Sequence, residues 1–435
     1  MTHPEKELKL NRRALTKTGA AVTAGAAVGI GSLRPGLAQD DATPVDNVDA
    51  VSTPEVVEES TPVMEEPAGP PIPEGTTLVA QGFSNPRFIA RGSTGTLYVT
   101  EVGVGGDEPF LATPGEPAEE EATPGATPVV STPEAISFEQ TRGYTGAVSA
   151  IDLDGNRTVL VEGLASYGQG IGVHGVALGP GEVYFAIGGA GVGSGEVPLP
   201  EENTVWRYSV ETGELSQIAS LGEYEVENNP DGTDVNPNLY EIASTGDGTL
   251  LVNDAGGNTV YSVDIATGEF TLAGIVPDFT SLTGQELDPE LGSGQPVPTG
   301  IDIGPDGTVY VSALAEFWPE GSPVIFTWND DGTFTPLELS GSLNWIVALD
   351  IGPDGNLYAS ELFGPMGAEG PGPGRVTRIN LADGTVEPVI ENVMMPHGLT
   401  FDDEGNLYVV IYSMGSSPGQ PIGMVVRADG VATPA

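Results

Sequence analysis

Hydrophobic and polar positions alternate in short runs along most of this chain, and one arrangement of them recurs six times. An apolar strand leads into a glycine turn and then into a second strand, usually built around an aromatic residue. The copies begin at Arg87-Phe88-Ile89-Ala90, His174-Gly175-Val176-Ala177, Tyr240-Glu241-Ile242-Ala243, Thr299-Gly300-Ile301-Asp302, Val347-Ala348-Leu349-Asp350 and His397-Gly398-Leu399-Thr400. Their turns fall at Gly95, Gly181, Gly248, Gly307, Gly355 and Gly405, followed by strands such as Leu97-Tyr98-Val99 and Leu407-Tyr408-Val409. Short alternating strands joined by such turns, repeated at this scale, predict a radially repeated sheet. Six units predict an all-β fold, a six-bladed β-propeller.

Each unit has room for four strands. In the fourth they are predicted at Thr299–Gly304, Thr308–Leu314, Pro323–Asn329 and Thr333–Leu339, and the second closes with Thr204–Val210 and Glu214–Leu221. The sixth unit offers only three, ending with Gly423–Asp429. The strand it lacks is available before the first unit, as Thr76-Thr77-Leu78-Val79-Ala80. Pairing that segment with the last blade closes the ring and removes two exposed sheet edges.

Composition changes the picture at the surface. With 435 residues and 39% apolar content the chain can bury a large core, yet it carries 62 acidic residues against 14 basic ones, a net charge of −48. The lysines, Lys6, Lys9 and Lys17, all precede the repeats; beyond Ala38 the basic side chains are eight arginines. Such a surface repels phosphate backbones and anionic lipid, so nucleic acid is disfavoured as a partner. An acidic or high-salt habitat accounts for the same charge. There is no cysteine, hence no disulfide and no thiol chemistry.

Residues 1–38 read as a leader. Asn11-Arg12-Arg13-Ala14-Leu15-Thr16-Lys17 precedes the weakly apolar stretch Thr18–Leu33, and small residues close it near Gly36-Leu37-Ala38. The pattern predicts a twin-arginine signal peptide and an extracytoplasmic protein, secreted or in the cell envelope. A retained anchor is the alternative. Residues 39–75 form an acidic Pro/Thr-rich linker, and 108–140 an acidic insertion within the first blade; neither has the apolar content to offset ordering entropy. The propeller then spans 76–435, with no integral membrane domain after signal cleavage and a monomer as the expected state.

Candidate chemistry gathers at the channel. The first strand of each blade lines it, and the first cassette residues form a ring: Arg87, His174, Tyr240, Thr299, Val347 and His397. Apart from His3, His174 and His397 are the chain's only histidines. At the channel mouth they suit acid–base catalysis or metal ligation near neutral pH; the bland reading is that each imidazole bonds a neighbouring carbonyl. Arg87 between them offers a guanidinium to an oxyanion or carboxylate. Arg87, His174, Tyr240, Thr299 and His397 are therefore the candidate ligand-binding set. In the loop Asn228–Asn238, Asp231, Asp234, Asn236 and Asn238 supply hard oxygens that suit calcium, although turn chemistry explains the same residues. Gly415-Ser416-Ser417-Pro418-Gly419 has no helix after it and makes a poor nucleophile site. Gly188–Gly195 lacks the spacing of a dinucleotide loop. The glycine-rich segments Gly188–Asn203, Ala315–Ser322, Glu361–Gly374 and Ser413–Pro421, with Phe317, Trp318 and Phe363, are expected to form the rim.

Several stretches resemble the ScyD/ScyE family: Asn229–Asn238 with Leu250-Leu251-Val252-Asn253-Asp254-Ala255-Gly256-Gly257-Asn258, then Leu78–Pro86 and Ser149-Ala150-Ile151-Asp152. The resemblance runs from about Thr76 to Gly430. It implies an exported bacterial NHL-like propeller and carries no catalytic residues over. The acidic insertion in blade one departs from it. More distant six-bladed relatives include lactonases with a central calcium and lyases with channel histidines. For the first, Asp302 and Asp350 are the inner-strand carboxylates; for the second, His174 and His397 are the pair. Two functions are expected on these grounds. One is a non-catalytic propeller binding a small ligand or protein partner at the channel mouth. The other is a hydrolase or lyase using the histidines and a divalent cation.

Overall fold

The computed structural model describes residues 70–112, 138–168, 170–287, 294–315, 318–322, 324–367 and 370–434. They form six antiparallel sheets around a central axis, a six-bladed propeller. Blade two runs Val173–Gly179, Glu182–Ile187, Thr204–Ser209 and Leu215–Ser220; blade three Leu239–Ser244, Thr249–Asp254, Thr259–Asp264 and Phe270–Ile275. Blade four comprises Pro298–Ile303, Val309–Ala313, Ile325–Trp328 and Phe334–Pro336; blade five Ile346–Ile351, Leu357–Gly367, Gly370–Ile379 and Val386–Val393. Strand ends lie within three residues of where alternation and turn glycines predict them, the largest misses being Phe334–Pro336, which stops short of Leu339, and Thr76–Phe83, which runs past Ala80.

Blade six is completed as the strand arithmetic requires. Thr76–Phe83 pairs antiparallel with Gly423–Ala428, in a register running from Thr76 opposite Ala428 to Phe83 opposite Gly423. Phe83 is fully buried beneath that pairing, and the Arg157 guanidinium lies 4.7 Å over its ring. Blade one differs from expectation at its edges. Beside Pro86–Arg91, Leu97–Glu101, Phe138–Ile151 and Arg157–Tyr167 it has a further strand, Glu108–Ala112. That strand pairs with Phe138–Arg142, so both ends of the acidic insertion belong to a hairpin; 113–137 lie outside the described residues, as do the leader and most of the linker. Phe317 also lies outside them. The glycine-rich stretch after Leu357 is likewise a hairpin, with Phe363 opposite Pro373 and Met366 opposite Pro371. Among the described residues two short helices, Gly222–Asn228 and Phe279–Thr283, lie between blades. Among the described residues no helix is long and apolar enough to cross a membrane.

Close approach of inner strands fixes the ring. The residue after each ring position is glycine in blades two, four and six and larger in the other three. A Cβ on Gly398 would sit 2.5 Å from Phe88 Cα, and one on Gly175 2.6 Å from Tyr240 O. Polar stitches cross the same seams. Gly398 N donates to Arg87 O at 2.8 Å, Ile301 N to Glu241 Oε2 at 2.6 Å and Ile351 N to Asp302 Oδ2 at 2.7 Å.

Candidate functional site

The loop entering the inner strand turns sharply in four blades. Asn85, Val297, Trp345 and Met395, each two residues before a ring position, have φ of 52°, 54°, 52° and 46°. For a β-branched residue such as Val297 this conformation is costly and persists only where surroundings enforce it. What enforces it is a repeated hydrogen bond from the equivalent position, seven residues beyond the turn glycine: Val102 N donates to Asn85 O at 3.1 Å, and Leu314 N to Val297 O and Leu362 N to Trp345 O at 2.9 Å. The loops so fixed deliver the ring residues to the channel.

Four of the five predicted ligand-binding residues come together there. Arg87 is buried, and its guanidinium donates to the carbonyls of Ser413 and Gly170, the latter at 3.1 Å. His174 lies with Nδ1 at 2.9 Å from Leu239 O and Nε2 at 3.0 Å from Gly170 O. Tyr240 OH lies 2.8 Å from His397 Nε2. Since blades three and six face each other in a ring of six, this contact spans the channel. Phe88 closes the cluster edge-on, its centroid 4.8 Å from His397 and 5.6 Å from Tyr240. Thr299 stands apart: its hydroxyl donates to Ile346 O at 2.6 Å, tying blade four to blade five.

Burial decides the electrostatics. Desolvation, with Arg87 adding repulsion, pulls His174 down to about 4; burial, Arg87 and His174 hold His397 well below its ordinary value. Burial pushes Tyr240 up to about 12. At neutral pH the cluster is one guanidinium among neutral rings, without a charged acid–base pair. His174 thus faces backbone carbonyls, whereas His397 meets the Tyr240 hydroxyl and keeps a buried Nδ1 without a partner.

Three carboxylates stand on neighbouring inner strands. Glu241, Asp302 and Asp350 follow one another on the inner strands of blades three, four and five. Burial pushes Asp302 up to about 6, and burial with repulsion from Asp302 pushes Asp350 well above its ordinary value.

The Asn228–Asn238 loop does not converge on one point. Asp231 accepts from Thr233 N at 3.0 Å, Thr233 Oγ1 at 2.7 Å and Asn258 Nδ2 at 2.7 Å. Asp234 accepts from Gln295 Nε2 at 2.8 Å. Asn238 places its side-chain oxygen beside Gly188, and the Oδ1 atoms of Asn236 and Asn238 are both buried with no partner. Among the described residues no group of three His, Asp or Glu side chains is placed to hold a metal. Of the rim aromatics, Trp318 stacks edge-on against Phe279 at 5.5 Å and Phe363 against Trp345 at 6.0 Å; both are buried.

No family model matches the chain, and no curated protein matches it. Among solved structures it is similar to virginiamycin B lyase from Staphylococcus aureus, at 15% identity over 76% of this chain and 79% of that one, TM-score 0.40. It is similar to a gluconolactonase from Xanthomonas campestris, at 14% identity over 84% and 99%, TM-score 0.45. A nidogen/laminin complex gives 15% identity over 62% and 84%, TM-score 0.39. At such identities the likeness concerns the fold and leaves activity open.

Proposed function

We propose that the chain is an exported, non-catalytic propeller of the ScyD/ScyE kind that binds a small ligand or protein partner at the channel mouth. The observation that supports this most is the burial of both channel histidines among groups of the protein itself. His174 faces two carbonyls, His397 faces Tyr240, and both are kept neutral. A general acid or base needs a proton affinity near the working pH and access to the substrate, and these side chains have neither. The buried Arg87 supplies positive potential at the mouth of an otherwise acidic protein, which favours a neutral or anionic ligand group.

A hydrolase or lyase is the second reading, and the Tyr240–His397 contact at 2.8 Å favours it, because a phenol and an imidazole can pass a proton. Two assays separate the readings: calorimetric titration of the folded chain with a panel of small aromatic carboxylates and lactones, and turnover of the same lactones. Saturable binding without turnover, weakened in Arg87→Gln, supports the binding protein. Turnover that vanishes in a folded His174→Gln/His397→Gln variant overturns it. Export is tested by the leader: Arg12→Lys/Arg13→Lys should retain the protein in the cytoplasm.

A further inference from the structure

The internal repeat exposes a charge that blade three leaves unbalanced. Six residues beyond the turn glycine, blades one, three and five carry a carboxylate: Glu101, Asp254 and Glu361. Each accepts a backbone N–H from the loop entering its blade, from Ser84 at 2.8 Å, Asn238 at 2.7 Å and Asn344 at 2.9 Å. In blades one and five an arginine then neutralises it. Arg157 Nη2 lies 2.5 Å from Glu101 Oε1, and Arg375 Nε 2.6 Å from Glu361 Oε1. A hydroxyl completes each set, Ser149 and Thr377, both at 2.6 Å.

Blade three has no such arginine. Helix Gly222–Asn228 brings a second carboxylate instead, Glu225. Glu225 is 0% exposed and Asp254 1%. Asp254 Oδ1 accepts from Asn238 N and Gly257 N, but Asp254 Oδ2 and both oxygens of Glu225 are buried without a partner. Thr259, directly opposite Asp254 on the neighbouring strand, and Tyr261 two residues on add hydroxyls that reach no group outside this cluster. The oxygens surround a gap. A Cβ on Gly257 would lie 3.1 Å from both Asp254 Oδ2 and Glu225 Oε2, so those oxygens are within roughly twice that distance of each other. Gly257 does not have a left-handed backbone; what glycine provides there is space.

We propose that Glu225 and Asp254 bind one hard divalent cation, best matched by calcium, which occupies in blade three the place that arginine takes in blades one and five. Buried carboxylates without partners need a positive charge. Two of them with neutral hydroxyl and water oxygens match calcium, whose coordination is flexible, better than magnesium, which demands a regular octahedron. Without a cation the site must hold a proton: burial, then the charges of Asp254, Asp231 and Asp234, pushes Glu225 up to about 8. The site is separate from the Asp231/Asp234 loop, whose carboxylates are engaged by Thr233, Asn258 and Gln295.

The test is calorimetry and thermal melting of the chelator-stripped full chain with calcium chloride or magnesium chloride at neutral pH. One calcium per chain, bound at or below about 1 mM and more tightly than magnesium, is expected, with a rise in Tm of several degrees. Gly257→Ala keeps both carboxylates and fills the gap; it should weaken calcium at least tenfold while melting in chelator as the wild type does. Glu225→Gln should also lose calcium, yet melt in chelator no lower than the wild type, because the amide replaces a carboxyl that already holds a proton there. Asp234→Asn should retain binding. A wild type whose melting and heats are indifferent to calcium overturns the proposal, as does equal binding in the wild type, Glu225→Gln and Gly257→Ala.

Discussion

Acid should weaken this propeller through His174 by an amount that the structure sets. In the unfolded chain the imidazole titrates at 6.5; in the native chain burial and Arg87 hold it at about 4. Above 6.5 both states are neutral and the native fold keeps its full advantage. As pH falls, the unfolded chain takes a proton that the native state refuses, so stability is lost from there down through the native value. A difference of about two and a half units, at ~1.4 kcal/mol each, comes to ~3 kcal/mol. Buried carboxyls act with the opposite sign: Asp302, pushed up to about 6, favours the native state as pH falls. The raw profile therefore sums both, and the difference between wild type and His174→Gln isolates the imidazole. Urea unfolding of the two proteins from about pH 7 to about pH 4 should show the wild type losing ~3 kcal/mol relative to the variant. A flat difference refutes the reasoning. A difference that moves toward the wild type in acid refutes it more sharply, since the native state would then be holding an imidazolium that donates to both Gly170 O and Leu239 O.

Phe83→Ala empties the seat beneath the closing strand and should cost about 4 kcal/mol in urea unfolding. Arg375→Ala strands Glu361, which is 1% exposed, without its cation; a loss of about 3 kcal/mol is expected, with much of it recovered in Arg375→Leu/Glu361→Leu. Gly398→Ala drives a methyl toward the backbone of the next inner strand and should lower stability by about 2 kcal/mol, readable as a lower Tm.

The blades were legible because their determinants are local. A glycine with positive φ at Gly95, Gly307, Gly355 or Gly405 and period-2 apolar positions beside it specify a hairpin wherever it lies. Ring closure was legible because the sixth unit lacked a strand. The ring register placed Arg87, His174 and His397 together, but not the bond from Tyr240 to His397, whose partners lie 157 residues apart. Burial was illegible too, and it turns a titrating pair of histidines into neutral ones. Glu225 was hidden for a related reason: seven residues of helix give little periodicity, and its partner Asp254 belongs to a strand. Aligning Glu101, Asp254 and Glu361 by their turn glycines would have exposed the missing arginine.

The strand that completes blade six is the first of the fold to be synthesised, and its partner strand is the last. Thr77 and Arg427, joined by a hydrogen bond, are separated by 350 residues. During translation, Thr76–Phe83 therefore emerges with nothing to pair with, and its edge must wait for the whole ring to follow. Local hairpins can form as they leave the ribosome, but the closed ring becomes available only once Gly423–Ala428 has followed. A chain lacking Gly423–Ala428 is an open arc with two sheet edges and an uncovered Phe83 pocket, so closure registers that all six blades are present.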